Sequence, residues 1–230
     1  MTARYIQKQL VKFNEAALPN SFVALSAQLD QEGNPYHAGI VIRLDRRNFL
    51  HHYCGSPEVI DDFEPGTWYI YKVIDIIKVD DNDEVASFLE HCRRVCGKSK
   101  IVYSCVLDGS AYNAEGEYIS NTGLPELGTC VGFCVNTLSL FCVDADSYLE
   151  VQDWDELSVP ENFPLDNFGQ RYTFARYPNL DRGLYNAYKR RVSPLEYICS
   201  AFVEQYPIRK QQIDDIIENV QFAIEKKFSQ

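Results

Sequence analysis

A thiol and an imidazole held together make a nucleophile near neutral pH, because the ring takes the thiol proton and the sulfur attacks a carbonyl. The chain of 230 residues has eight cysteines and only four histidines. Three of those histidines, His37, His51 and His52, fall within sixteen residues of one another. Cys130 stands where the turn-rich DGSAYNAEGEYISNTGLPELG runs into the apolar TCVGFCVNTLSLF. The apolar run is expected to be a buried helix capped by Thr129. A cysteine in its first turn meets unpaired N–H groups and the positive end of the helix dipole, which favour the thiolate. The Cys130 N–H can also donate to an oxyanion. Cys134, one turn further in and away from those amides, is the competing nucleophile. Gly132 is expected to leave room for a close sheet.

The elements that must position these groups are strands. SFVALSAQLD alternates and reads as a strand, and QEGNP as a turn. His37 opens a second strand, YHAGIVIR, and His51 and His52 lie in a third, FLHHYC, across the connection LDRRN. If Arg43 pairs with Phe49, His51 shares a face with His37. A slip of one residue puts His52 there instead, because strand side chains alternate. The first pairing makes His51 the orienting partner and leaves His52 as its rival. A helix is expected over residues 4–17, a long β-rich run over Trp68–Val79, a helix over Asn82–Cys96 and a strand over Lys100–Leu107. The expected class is α+β, an antiparallel sheet packed on the helix that starts at Cys130.

Taken together, TCVGFCVNTL resembles the nucleophile motif of the NlpC/P60 superfamily of papain-like hydrolases. HAGIVIR and FLHH resemble that superfamily's histidine strand and the strand after it. Both histidines precede the cysteine, an order similar to the circularly permuted branch, which includes lecithin retinol acyltransferase-like proteins. The resemblance covers roughly residues 20–142. It implies Cys130 as nucleophile, His37 as base and His51 as the third catalytic residue, on a permuted papain-like fold. It also implies cysteine hydrolase chemistry on a peptide or amide, with a lipid acyl hydrolase or acyltransferase as the alternative. A non-catalytic binding module on a degenerate fold is the third reading. Thr129 stands where the acyltransferases carry Asn and many NlpC/P60 members Asp. Gly132 stands where the acyltransferases carry a second His.

The remaining features bound the answer. A net charge of −11 argues against a nucleic-acid partner. No signal peptide or membrane-length apolar run is read, so free thiols in the cytoplasm are expected. HCRRVC, residues 91–96, lacks a second ligand pair, and neither a metal nor a cofactor is expected. The acidic stretch at about 144–166 reads as a linker or surface loop. RYTFARYPNLDRGLYNAYKRR reads as a solvated helical face around a tyrosine core. Residues 1–145 are expected to form the catalytic core and residues 146–230 a mostly helical extension packed on it. Ile213, Ile216, Ile217, Val220 and Ile224 would make the apolar face of one final helix.

Overall fold

The computed structural model describes residues 1–12, 18–142 and 147–229. Six of its strands are β1 (Leu10–Lys12), β2 (Phe22–Leu29), β3 (Pro35–Leu44), β4 (Arg47–Tyr53), β5 (Pro57–Asp61) and β6 (Tyr69–Ile74). They form one antiparallel sheet in the order β1-β6-β2-β3-β4-β5. The central strands FVALSAQL and YHAGIVIRL are almost continuously apolar because both of their faces are covered. Val23, Leu25 and Ala27 of β2 and Ala38, Ile40 and Ile42 of β3 enter the main core. Phe22, Ala24 and Val41 enter a smaller core on the other face, with Leu50 and Tyr71.

The helices are α1 (Ala3–Gln9), α2 (Asn82–Lys98), α3 (Cys130–Leu138), α4 (Pro164–Arg176), α5 (Arg182–Ala187), α6 (Pro194–Ser200), α7 (Lys210–Asp214) and α8 (Ile217–Phe228). Short strands β7 (Val102–Tyr103), β8 (Ala111–Tyr112), β9 (Tyr118–Ile119) and β10 (Leu127–Gly128) lie among them. Helix α3 packs on β3 and β4, and α6 packs on β2 and β3. These contacts make the molecule α+β with a nucleophile-candidate helix against an antiparallel sheet. Among the described residues, no helix is long and apolar enough to cross a membrane.

Several expected elements are shorter than their sequence pattern. The first helix stops at Gln9, where Leu10–Lys12 leaves it to pair with β6, and residues 13–17 lie outside the described residues. The run after Trp68 is a strand only over Tyr69–Ile74, and Lys100–Leu107 pairs as a strand only at Val102–Tyr103. The acidic stretch is not a linker where it is described: Tyr148, Leu149, Val151 and Trp154 are buried in the main core. Residues 144–146 of that stretch lie outside the described residues. That core also joins Ile40 and Val131 to Tyr197 and Val220, so chain on both sides of residue 145 shares it. The last apolar face is carried by two helices, α7 and α8, with Ile216 between them.

Candidate active site

The β3–β4 hairpin decides which histidine can serve His37. Its loop is two residues, Asp45 and Arg46, with φ of 49° and 70°. That left-handed pair suits a tight hairpin turn, although neither residue is the Asn or Gly that usually marks one. Outside partners hold it: Asp45 N–H donates to Ser21 Oγ (3.1 Å) and Arg46 N–H to Asn20 O (2.9 Å). Arg43 therefore pairs with Asn48 rather than with Phe49. His52 falls opposite Gly39, on the face of His37, and His51 falls opposite Ile40, on the face of α3.

This overturns the expected partner. His37 Nε2 lies 3.0 Å from His52 Nδ1, and His52 Nε2 lies 3.1 Å from Glu58 Oε1. Glu58 reaches His52 because the β4–β5 hairpin pairs the two residues directly. The chain of bonds fixes the tautomers. A carboxylate can only accept, so His52 Nε2 carries the shared proton and His52 Nδ1 is an acceptor. His37 Nε2–H then donates to it, which leaves the Nδ1 lone pair of His37 as the free base. Burial, helped by His52, lowers the His37 pKa to about 4, so the ring is neutral near pH 7. Burial likewise lowers His52, against the pull of Glu58.

His51 is fully buried on the other face and stacks on Phe133 of α3, with ring centres 4.7 Å apart. Its Nε2 lies 3.1 Å from Thr137 Oγ1, whose own proton goes to Phe133 O (2.9 Å). Thr137 Oγ1 must therefore accept from His51 Nε2–H, and Nδ1 accepts from the Cys96 thiol at 3.4 Å. Burial pushes the His51 pKa down to about 3. The side chain is a satisfied core group joining β4 to α2 and α3.

Cys130 is the first residue of α3, and Thr129 caps the helix by accepting the Gly132 N–H at 3.2 Å. Among the described residues, the N–H groups of Cys130 and Val131 donate to no backbone oxygen, and both stand beside the Cys130 sulfur. Burial raises the Cys130 pKa, while the backbone amides of Ala38, Val131 and Cys130 itself and the Arg191 guanidinium pull it down. Burial prevails, so the resting group is a neutral thiol. Gly132 is not needed for a close sheet, because a methyl group there would meet its nearest neighbour at an ordinary 3.8 Å. The tight approach is at Gly39, where an added Cβ would stand 2.8 Å from Leu50 Cδ1. Cys134, the rival nucleophile, is sealed in the core and its pKa is raised well above the ordinary value by burial.

Cys130 and His37 line one cavity of about 760 Å³. They reach it from different sides of β3: Cys130 packs with the main core, and His37 belongs to the alternate set of the strand. No hydrogen bond joins them in this structure. The rest of the wall includes Tyr53, Tyr103, Arg191 and residues of α4. Helix α4 lies tight against β7, where an added Cβ at Gly169 would stand 2.8 Å from Tyr103 O.

Glu58 and Arg191 had not been singled out in the sequence. For Glu58 a signal existed, since Gly55 and Pro57 mark a turn that sets it opposite His52. Arg191 ends the basic and aromatic stretch RYTFARYPNLDRGLYNAYKRR, whose pattern is that of a solvated face; only tertiary packing brings it near Cys130. Among the described residues, no group of three His, Cys, Asp or Glu side chains is arranged to hold a metal ion, including His91, Cys92 and Cys96. No protein-family model, curated protein or solved structure matches the chain.

Proposed function

We propose that the protein is a cysteine hydrolase or acyltransferase in which Cys130 attacks a carbonyl and His37 moves the protons. The observation that carries this reading is the hydrogen-bonded series Glu58–His52–His37, whose last residue lines the cavity that Cys130 also lines. A neutral thiol and a neutral imidazole that meet over a bound substrate react by general-base catalysis rather than through a preformed ion pair. Bound substrate must bring Cys130 Sγ and His37 Nδ1 to about 3–3.5 Å, the range of a near-attack geometry.

The thiol proton passes to His37 Nδ1 as Sγ bonds to the carbonyl carbon, and the carbonyl oxygen becomes an oxyanion. The N–H groups of Cys130 and Val131, which stand beside the sulfur at the start of α3, suit that charge. The tetrahedral species collapses to a thioester, and His37 returns the proton to the departing amine or alcohol. Water then gives up a proton to His37 and hydrolyses the thioester; an acceptor amine or alcohol in that place makes the enzyme a transferase. His52 and Glu58 are positioning residues that hold His37 in the required tautomer.

The sheet, with α3 packed on β3 and β4, suits the permuted papain-like architecture that the sequence resembles. The missing Cys130–His37 hydrogen bond favours a second reading, a binding module that keeps the cavity without turnover. A panel of amide and ester substrates, run on the parent and on Cys130→Ala, separates the two. The hydrolase reading expects turnover that Cys130→Ala abolishes. Turnover that survives in Cys130→Ala, or none with any substrate, rejects it.

A further inference from the structure

An acidic protein has a surplus of carboxylates with which to pair its arginines; this chain has 33 acidic residues against 22 basic ones. Two guanidiniums on the wall of the Cys130 cavity are nevertheless left over. Among the described residues, neither Arg176 nor Arg191 forms an ion pair. Each lies over an aromatic ring instead, Arg191 at 4.8 Å from the centre of Phe163 and Arg176 at 5.8 Å from Tyr177, with the Arg176 guanidinium also facing the hydroxyls of Tyr172 and Tyr177. Two carboxylates of this region have partners of their own. Asp166, buried in α4, is paired with Lys189 at 2.7 Å. Asp30, also on the cavity wall, accepts the backbone N–H groups of Glu32 and Asn34.

Arg191 is held in place. Its backbone N–H donates to Ser158 Oγ at 2.8 Å, its side chain is half-buried, and it is close enough to lower the Cys130 pKa. Beside it, α4 turns Leu165, Phe168 and Tyr172 onto the same wall, all three about half exposed. An apolar wall ending in guanidiniums that have no carboxylate partner is complementary to a molecule with an apolar body and an anionic end. The cavity, about 760 Å³, is within the size range of small-molecule sites.

We propose that the substrate of this site is a small acyl compound whose apolar chain lies on Leu165, Phe168 and Tyr172 and whose carboxylate or phosphate is bound by Arg191, with Arg176 at the outer rim. This rests on the acyl-transfer reading of Cys130, and it adds the charge and the shape of what is transferred.

Binding can be measured without turnover, on Cys130→Ala. The probes are anilinonaphthalene sulfonate, an apolar fluorescent anion, and phenylnaphthylamine, the same skeleton without the charge. The sulfonate is expected to bind about tenfold or more tightly than the neutral probe, the scale of a charge-assisted hydrogen bond. Arg191→Gln should remove most of that difference and leave the neutral probe unchanged, and Arg191→Lys should keep part of it. Circular dichroism of each variant guards against a fold change. Decanoylglycine and decyl phosphate should displace the sulfonate better than decanamide, and whichever of the two is stronger identifies the anion. Equal binding of the two probes, an unchanged sulfonate affinity in Arg191→Gln, or equal displacement by decanamide overturns the proposal. Anion-selective binding in a parent that never acylates Cys130 rejects the hydrolase reading. Acylation of Cys130 with no preference for charge rejects only the anionic substrate.

Discussion

His37 Nε2 and His52 Nδ1 stand 3.0 Å apart, and the second nitrogen of His52 reaches Glu58 at 3.1 Å. The adjacent His51 points through the sheet to Thr137 and Cys96. One residue of register gives two neighbouring histidines different tasks.

That difference can be measured directly. His52→Ala should lower the rate of Cys130 acylation by about a hundredfold or more, in the range for loss of acid–base function, with little change in stability. Glu58→Gln, which keeps an acceptor oxygen, should cost about tenfold, a fraction of that range. His51→Ala should instead destabilise the fold by about 2–4 kcal/mol, because it opens a core cavity and unpairs Thr137 and Cys96. Urea melts and acylation rates per folded molecule test the assignment; the reverse pattern would restore His51 as the third residue.

The hairpin was legible in the sequence as a hairpin, and so was the capped helix at Cys130. The register was not, because a two-residue turn of Asp45 and Arg46 lacks the usual glycine or asparagine signal. It forms because Asn20 and Ser21, distant in sequence, accept its N–H groups. The aromatic wall of α4 escaped for a similar reason. Tyr172 and Arg176 have the pattern of a solvated helix face, and only the packing of Gly169 on Tyr103 turns that face toward Cys130. The acidic composition of residues 147–163 hid Tyr148 and Trp154, which are core residues.

The pH profile of acyl transfer should have its acid limb near pH 4. His37 must be neutral to take the thiol proton, and its pKa is lowered to about 4, so activity is lost only as pH falls through that value. Single-turnover acylation between pH 8 and pH 4, with circular dichroism at each point to confirm the fold, checks this. An acid limb at the ordinary histidine value of about 6.5 would mean that His37 is not held as described.

Stability should fall on mild acidification. His51 and His91 are buried, with pKa values lowered from 6.5 to about 3 and about 4. The unfolded chain binds their protons below pH 6.5 while the folded chain does not. Their contribution is therefore fully present above that pH and is lost as pH drops toward the folded values. Each should cost about 1.4 kcal/mol per pH unit in that window. Urea midpoints between pH 7 and pH 5 should show this slope, and His51→Gln, whose side chain does not titrate, should flatten it.

Two glycine substitutions should differ in sign. Gly39→Ala puts a methyl group 2.8 Å from Leu50 Cδ1 and should destabilise by about 1–3 kcal/mol, as overpacking does. Gly132→Ala meets only ordinary contacts in α3 and should be neutral or stabilising by up to about 1 kcal/mol. Thermal melts of both variants compare the two sites.

Acyl transfer through this site requires a bond between an acyl group and Cys130 Sγ. Mixing the protein with an activated apolar acyl ester, quenching in acid and mapping the adduct by mass spectrometry tests it most directly. One acyl group is expected, on the peptide holding Cys130, formed more slowly in His37→Ala and absent in Cys130→Ala. An adduct that forms at the parent rate in Cys130→Ala, or that maps to Cys96 or Cys54, would contradict it.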